Sequence, residues 1–156
     1  MARKAPIGKS RGQSMIEFAF ILMVLVFLIF GISEFARALY TYNTVIQTTR
    51  EAARWAVVNV ADNGDTVDIA RAKNVVVYGN PDVATGYPRL PGLTTAIVDV
   101  HVEDMELDVN GVAINQKVSV SVSGYQFQSM VGFLPTLTMP AYETSLYTES
   151  MGVVPP

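Results

Sequence analysis

The chain has 156 residues, half of them hydrophobic, and a net charge of −3. Four of its eleven Lys and Arg lie in residues 1–12, which contain no acid, so the remainder of the chain is acidic. An acidic body argues against nucleic acid as a partner, because affinity for phosphates comes largely from Lys and Arg. There is no cysteine, which excludes disulfide bonds and thiolate metal sites.

Residues 1–12 are basic and contain Pro6 and Gly8, so we expect an unstructured leader. An apolar segment follows, and Met15 to Glu34 supplies the roughly 20 residues needed to cross a bilayer. The positive-inside rule places the leader in the cytoplasm and the rest of the chain beyond the membrane. The predicted topology is therefore a single pass, with the C-terminal domain on the far side of the membrane.

One acid, Glu17, stands at the start of the apolar segment, whereas Phe18 to Ile32 carries no charge. A carboxylate facing hydrocarbon is costly, so such a residue predicts a function and a partner. Solvation of Glu17 at headgroup depth is the simpler alternative.

Three interpretations compete for this segment. A cleaved signal peptide would use Ala36-Arg37-Ala38 as its cleavage site, and the mature protein would start at Leu39. An uncleaved anchor would hold a periplasmic binding or adhesion domain at the membrane. The third interpretation is a prepilin, and it explains the residues around Glu17 that the other two leave unexplained.

Gly12, four further residues and then Glu17-Phe18 opening an apolar helix resemble the processing site of type IV prepilins. Glu-Phe at this point resembles the tight-adherence (Tad, or Flp) branch. The following GISEFARALYTYNTVIQTTREAARWAV is similar to the TadE-like family of minor pilins, or pseudopilins. Many relatives carry a proline near Met23, but this chain has none between Gln13 and Val60.

This resemblance implies a structural role in Tad pilus assembly, and it implies that the single-pass protein lies in the bacterial inner membrane with a periplasmic C-terminal domain. It implies cleavage between Gly12 and Gln13 by a prepilin peptidase, and it makes Glu17 and Phe18 the subunit-assembly residues. Glu17 would meet the new N-terminal amine of a neighbouring subunit. The implied partners are the peptidase, other minor and major pilins, the inner-membrane assembly platform and membrane lipid. Whether the protein enters a surface pilus or stays in the membrane as a priming complex is left open, as is a TadE-like against a TadF-like role.

The helix is predicted to run over residues 13–60, beyond the membrane, because no Gly or Pro interrupts the sequence from Ser33 to Val60. Its second half has an amphipathic period, and the predicted packing face consists of Phe35, Leu39, Tyr42, Ile46, Thr49, Ala53 and Val57. Trp55 is expected to pack between this helix and a sheet.

Residues 61–156 are predicted to form an extracytoplasmic α+β domain. Residues 61–65 are a turn, a short helix runs from Thr66 to about Tyr78, and residues 81–92 form a Pro- and Gly-rich loop. A final strand is expected from Leu137 to Ser150, with Pro140 at its start or on an edge.

A hairpin is predicted from residue 95 to Val122. Asn110-Gly111 is typical of a two-residue type I′ turn, which pairs Val109 with Val112 and Leu107 with Ile114. Along the first strand the apolar side chains change from one face to the other. We therefore predict a β-bulge at Glu103-Asp104 that pairs Val102 with Val118 and Val100 with Val120.

Nothing in the sequence nominates an enzyme, a cofactor or a metal site. His101 is the only histidine and is expected to be a solvated strand residue. The acidic run around Glu106, Asp108 and Asn110 imitates a calcium loop, but Lys117 stands where the bidentate acid should be. The predicted protein is therefore α+β and pilin-like, with one long helix, a short helix and a small antiparallel sheet.

Overall fold

The computed structural model describes residues 10–60, 66–107, 113–132 and 135–148. It confirms the α+β architecture. Helix α1 spans Ser10–Asn59 and helix α2 spans Thr66–Tyr78. The strands are β1 (Val98–Leu107), β2 (Ala113–Val122), β3 (Gln126–Phe127), β4 (Leu137–Thr138) and β5 (Tyr142–Tyr147).

Helix α1 begins at Ser10, so residues 10–12 are helical rather than unstructured as predicted. Extending an existing helix fixes one residue for each hydrogen bond gained, which makes continuation of a helix much easier than its nucleation. Residues 1–9 of the predicted leader lie outside the described residues.

The two halves of α1 differ in burial. Every residue from Gly12 to Ser33 is exposed, and burial begins at Glu34. From there to Val60 one face of the helix packs against α2, β2 and β5. The predicted long helix is therefore confirmed, and its second half supplies the face that is buried against the domain.

The buried face of α1 is rotated from the predicted one. Thr49 and Ala53 are buried as expected, but Phe35 is 66% exposed and Leu39 is 47% exposed. The observed face uses small residues, which allow close approach of the neighbouring elements; it consists of Thr41, Val45, Thr48, Thr49, Ala52, Ala53 and Ala56. Trp55 is half-buried and packs against this core.

Helix α2 has the predicted bounds and ends at a glycine. Gly79 has φ +77, and its N–H donates to the Val75 carbonyl at 3.0 Å, as in an αL C-cap. A Cβ at Gly79 would meet the guanidinium at the flexible end of Arg89, which could move, so it is the positive φ that favours glycine here. The predicted loop at 81–92 follows and ends near the buried Leu90 and Leu93.

The main sheet is antiparallel with strand order β1-β2-β5. Its inner face packs on the helices through Val98, Val100, Val118, Val120 and Val122. Its outer face is polar, because side chains alternate along each strand.

The hairpin register is as predicted at Val100 and Val102, but it differs at Leu107, and the irregularity lies elsewhere. Val102 pairs with Val118 and Val100 with Val120, whereas pairing runs unbroken through Glu103 and Asp104. The register shifts fall between Asp104 and Glu106 and between Glu106 and Leu107. The predicted bulge position is therefore wrong.

The two shifts lie on opposite strands and cancel, so Leu107 pairs with Ala113 rather than with Ile114. The ion pair of Glu103 with Lys117 and the hydrogen bond from Gln116 to Asp104 hold the pairing at the predicted bulge. The predicted Asn110-Gly111 turn lies outside the described residues.

Within the described residues 137–148, the predicted final strand is divided into two separate strands. Gly124 has φ +72 and redirects the chain into β3, which pairs with β4 in a separate two-stranded sheet. The N–H of the buried Met139 then donates to the Tyr125 carbonyl at 2.9 Å, outside both sheets. Because Pro140 lacks an N–H, pairing resumes only at Tyr142, where β5 joins β2 as an edge strand.

Candidate functional site

The four residues predicted from the sequence lie in the first three turns of α1. Gly12, Gln13, Glu17 and Phe18 are all exposed. Gln13 and Glu17 are one turn apart, so they share a face and are separated by about 6 Å along the axis. Phe18 lies about 100° further round the helix, which places it on a different face.

The Glu17 side chain has no hydrogen bond or ion pair with any residue that the structure describes. A Cβ at Gly12 would meet nothing within 4 Å. The start of the helix is thus open to other molecules, and no contact within the described chain explains why an acid or a glycine stands there.

The segment that follows is a candidate membrane span. Its most apolar 18-residue window has a mean hydropathy of 2.8 and none of it is buried. The exposed side chains include Phe20, Phe27 and Phe30, each more than half exposed. Such a length of exposed hydrocarbon fits lipid or other apolar helices better than water.

The structure adds a site at the end of this span that the sequence analysis missed. Glu34 is only 9% exposed. Its Oε1 accepts a hydrogen bond of 2.8 Å from the backbone N–H of Met130, and its Oε2 lies 3.1 Å from Nη2 of Arg37. We call Glu34 and Arg37 the exit clamp.

Arg37 completes the exit clamp from the other side. Its Nη2 donates to the Gln128 carbonyl, and its guanidinium lies over the Phe127 ring, 4.7 Å from the centroid, within cation–π distance. The clamp therefore fixes the segment after β3 against α1. No local sequence pattern points to these contacts, because the backbone groups that Glu34 and Arg37 bind lie 96 and 91 positions away along the chain.

Tyr125 lies at the base of the same segment and is 4% exposed. Its hydroxyl donates to the Pro91 carbonyl at 2.8 Å. Burial raises the pKa of this phenol, and the positive charge of Arg37 opposes the shift. The segment that leads to the exit clamp is thus tied to the loop before β1.

The outer face of the main sheet offers no comparable site among the described residues. His101 is exposed there, and its Nε2 lies 3.6 Å from Glu103 Oε1. Among residues 10–60, 66–107, 113–132 and 135–148, no group of three or more His, Asp or Glu could hold a metal ion. Asp108 and Asn110 of the calcium-like run lie outside the described residues.

Comparison with protein families gives a match that falls on the long helix. The family described as TadE-like protein matches residues 12–54, from the open start of α1 through the exit clamp and into its packed half. No curated protein and no solved structure is similar enough to count as a match.

The matched residues are those on which the sequence resemblance rests, and they include Gly12, Glu17 and Glu34. The family indicates a component associated with the Tad pilus, and the apolar half of α1 is its candidate membrane anchor. The similarity to TadE-like protein therefore holds over residues 12–54.

Proposed function

We propose that this protein is a minor pilin, or pseudopilin, a non-enzymatic structural component of Tad (Flp) pilus assembly that a prepilin peptidase cuts between Gly12 and Gln13. The observation that carries the proposal is the exposed start of α1 within a TadE-like segment. There Glu17 stands one turn after Gln13, on the same face and without a partner among the described residues.

The physical argument concerns the charge of Glu17. A single carboxylate in hydrocarbon is costly, and pairing with an opposite charge offsets much of that cost. Cleavage after Gly12 creates an amine at Gln13, which meets Glu17 of an adjacent, parallel helix when the two helices are staggered by about 6 Å along their axes. Correct subunit register then satisfies both charges, and Phe18 with the apolar residues beyond it packs against neighbouring helices.

In this function the protein lies in the bacterial inner membrane with its N-terminus in the cytoplasm and residues 61–156 in the periplasm. Its partners are the prepilin peptidase, other minor and major pilins, the inner-membrane assembly platform and membrane lipid. Transfer into a filament would exchange lipid for apolar helix contacts.

The decisive experiment is to determine the N-terminus of the membrane-extracted protein, with and without a prepilin peptidase. We expect a start at Gln13 that depends on the peptidase. An intact leader in the presence of active peptidase would contradict the proposal and favour the uncleaved anchor with a periplasmic binding or adhesion domain.

A matched pair of glycine variants separates recognition from folding. A Cβ added at Gly12 or at Gly31 would meet no atom within 4 Å, so alanine should be accommodated at both. We expect Gly12→Ala to reduce cleavage and Gly31→Ala to leave it unchanged. Equal cleavage of the two variants would mean that the peptidase does not recognise Gly12.

The role of Glu17 is tested by Glu17→Gln, with Glu143→Gln on the exposed sheet face as the control. We expect Glu17→Gln to insert in the membrane normally but to lose incorporation into pilus complexes, measured by co-purification with other pilins. Normal incorporation of Glu17→Gln would refute the pairing of Glu17 with the amine.

The exit clamp bears on the signal-peptide alternative. Cleavage before Leu39 would remove both Glu34 and Arg37, which hold the segment at Gln128 and Met130. A domain that needs these residues for its own contacts is a poor product for a signal peptidase, and this supports retention of α1.

A further inference from the structure

We propose that residues 128–132, which we call the exit loop, insert into the periplasmic interface of the bilayer that α1 crosses, so that the protein contacts lipid at two places. The inference rests on the membrane anchoring in the proposed function and goes beyond it. It assigns a lipid-binding surface to the C-terminal domain itself.

The first argument is position. The exit clamp fixes the Met130 backbone to Glu34, the last residue of the predicted span. Met130, Val131 and Gly132 line one cleft together with Phe30 and Ser33 of α1. Phe30 lies about 6 Å along the helix from Glu34, towards the membrane centre. The exit loop is therefore at the depth where the helix leaves the hydrocarbon.

The second argument is the chemistry of the exit loop. The Met130 side chain is 82% exposed, although it is large and apolar. The sequence from Val118 to Tyr142 contains no Asp, Glu, Lys or Arg, so entering the interface would require no charge of this segment to be desolvated. An uncharged loop with an exposed methionine fits the boundary between headgroups and acyl chains.

The third argument is the state of the nearest charges. Glu34 and Arg37 are paired with each other, and each also bonds to the backbone of the exit loop. Buried charges are tolerated where they are paired and hydrogen-bonded. The exit clamp thus neutralises the base of the loop and holds it rigidly beside the helix.

The expected consequence is a fixed orientation. The tilt and rotation of a transmembrane helix are set by its packing and by interfacial anchors. A second lipid contact to one side of α1 would select one tilt direction and hold the sheet at a set height above the membrane.

The test uses the full-length protein, one copy per nanodisc of phosphatidylethanolamine and phosphatidylglycerol, with bromine atoms on the upper acyl carbons. The chain has one tryptophan, so Trp55→Phe gives a background in which single tryptophans are placed by Met130→Trp, Phe27→Trp or Tyr87→Trp. If Trp55→Phe disturbs folding, Trp55 is kept and the unaltered protein supplies the baseline, because Trp55 lies about 30 Å along α1 from Glu34.

Phe27→Trp reports on the anchor and Tyr87→Trp on the exposed loop of the domain, where Tyr87 is 99% exposed. We expect Met130→Trp to lose emission to brominated lipid nearly as strongly as Phe27→Trp, and Tyr87→Trp to lose none. Quenching of Phe27→Trp with none of Met130→Trp would overturn the exit-loop inference alone. Absence of quenching in both would overturn the anchoring as well.

Two further measurements complete the test. Adding Glu34→Ala to Met130→Trp should reduce the quenching, because the clamp would no longer hold the loop; unchanged quenching would refute the clamp's positioning role. If Met130→Trp resists quenching and its emission shifts to the blue only with several copies per disc, the loop binds a second copy and the lipid inference is wrong.

Discussion

The two halves of α1 share one backbone but meet different surroundings. Residues 12–33 present large apolar side chains that stay exposed, whereas residues 34–59 bury one face. The buried face is built from Ala, Thr and Val, while the exposed half is rich in Phe, Leu and Ile. Large side chains suit a fluid apolar solvent, and small ones suit close contact with a fixed neighbour.

The strongest test of this difference between the two halves of α1 is to replace one alanine in each half with a larger residue. Ala53 is fully buried, whereas Ala19 is exposed. Overpacking a tight core typically costs about 1–3 kcal/mol, so Ala53→Leu should lower the free energy of unfolding of the domain by that amount. Ala19→Leu should leave it unchanged. Urea denaturation in detergent micelles measures both, and equal effects would contradict the division of the helix.

The boundary between the halves is tested at the exit clamp. Glu34→Ala removes the acceptor for the Met130 N–H and the carboxylate that pairs with Arg37. A hydrogen bond to a charged group contributes about 1.5–3 kcal/mol, so we expect a loss of about 2 kcal/mol. Denaturation followed by circular dichroism would measure it. A loss no greater than that of an exposed acid would mean that the clamp does not hold the loop.

A smaller effect is expected at Tyr125. Tyr125→Phe removes the hydrogen bond to Pro91 and should cost about 1 kcal/mol at neutral pH. Because the pKa of the folded-state phenol is raised above its ordinary value of 10.0, the folded protein holds this proton more tightly than the unfolded chain does. Its contribution is complete below pH 10.0 and is lost as pH rises through the raised pKa.

The measurement for Tyr125 is urea denaturation of both proteins at neutral pH and above the ordinary tyrosine pKa. The unaltered protein should lose stability across this range more steeply than Tyr125→Phe. Parallel pH profiles of the two proteins would show that burial does not perturb the phenol.

The smallest effect is expected at Glu51, on the solvent side of the packed half. Glu51 pairs with Arg89 at 2.6 Å, but its side chain is 52% exposed. Exposed ion pairs contribute about 0.2–1 kcal/mol, so Glu51→Ala should cost less than Glu34→Ala. Added salt should reduce the loss of stability caused by Glu51→Ala. Most of the loss caused by Glu34→Ala should remain. A salt-independent loss at Glu51 would indicate that its side chain packs rather than pairs.

Local patterns were sufficient to predict the helices from the sequence. The apolar run with no proline gave α1, and the turn residues around Gly79 gave the end of α2. The valine alternation also gave the correct register of Val102 with Val118. These features depend on neighbours in sequence or on a period, which a single chain displays directly.

Features that depend on distant partners were predicted less well. Cross-strand polar contacts of Glu103 and Asp104 keep their pairing regular and move the irregularity towards the hairpin end. The packed face of α1 follows the shape of the sheet, so the large Phe35 and Leu39 were mistaken for core. The exit clamp joins residues that are 96 positions apart, and no local pattern marks such a contact.

Because α1 is unbroken, the number of residues between the membrane and the domain determines which way the domain faces. Each residue of an α-helix adds about 100° of rotation and 1.5 Å of rise. One residue inserted near Val24 would therefore turn the sheet by more than a quarter of a circle relative to Glu17. Seven inserted residues would restore the facing to within about 20° and raise the domain by about 10 Å. The number of residues in the helix thus sets the direction in which each domain faces its neighbours.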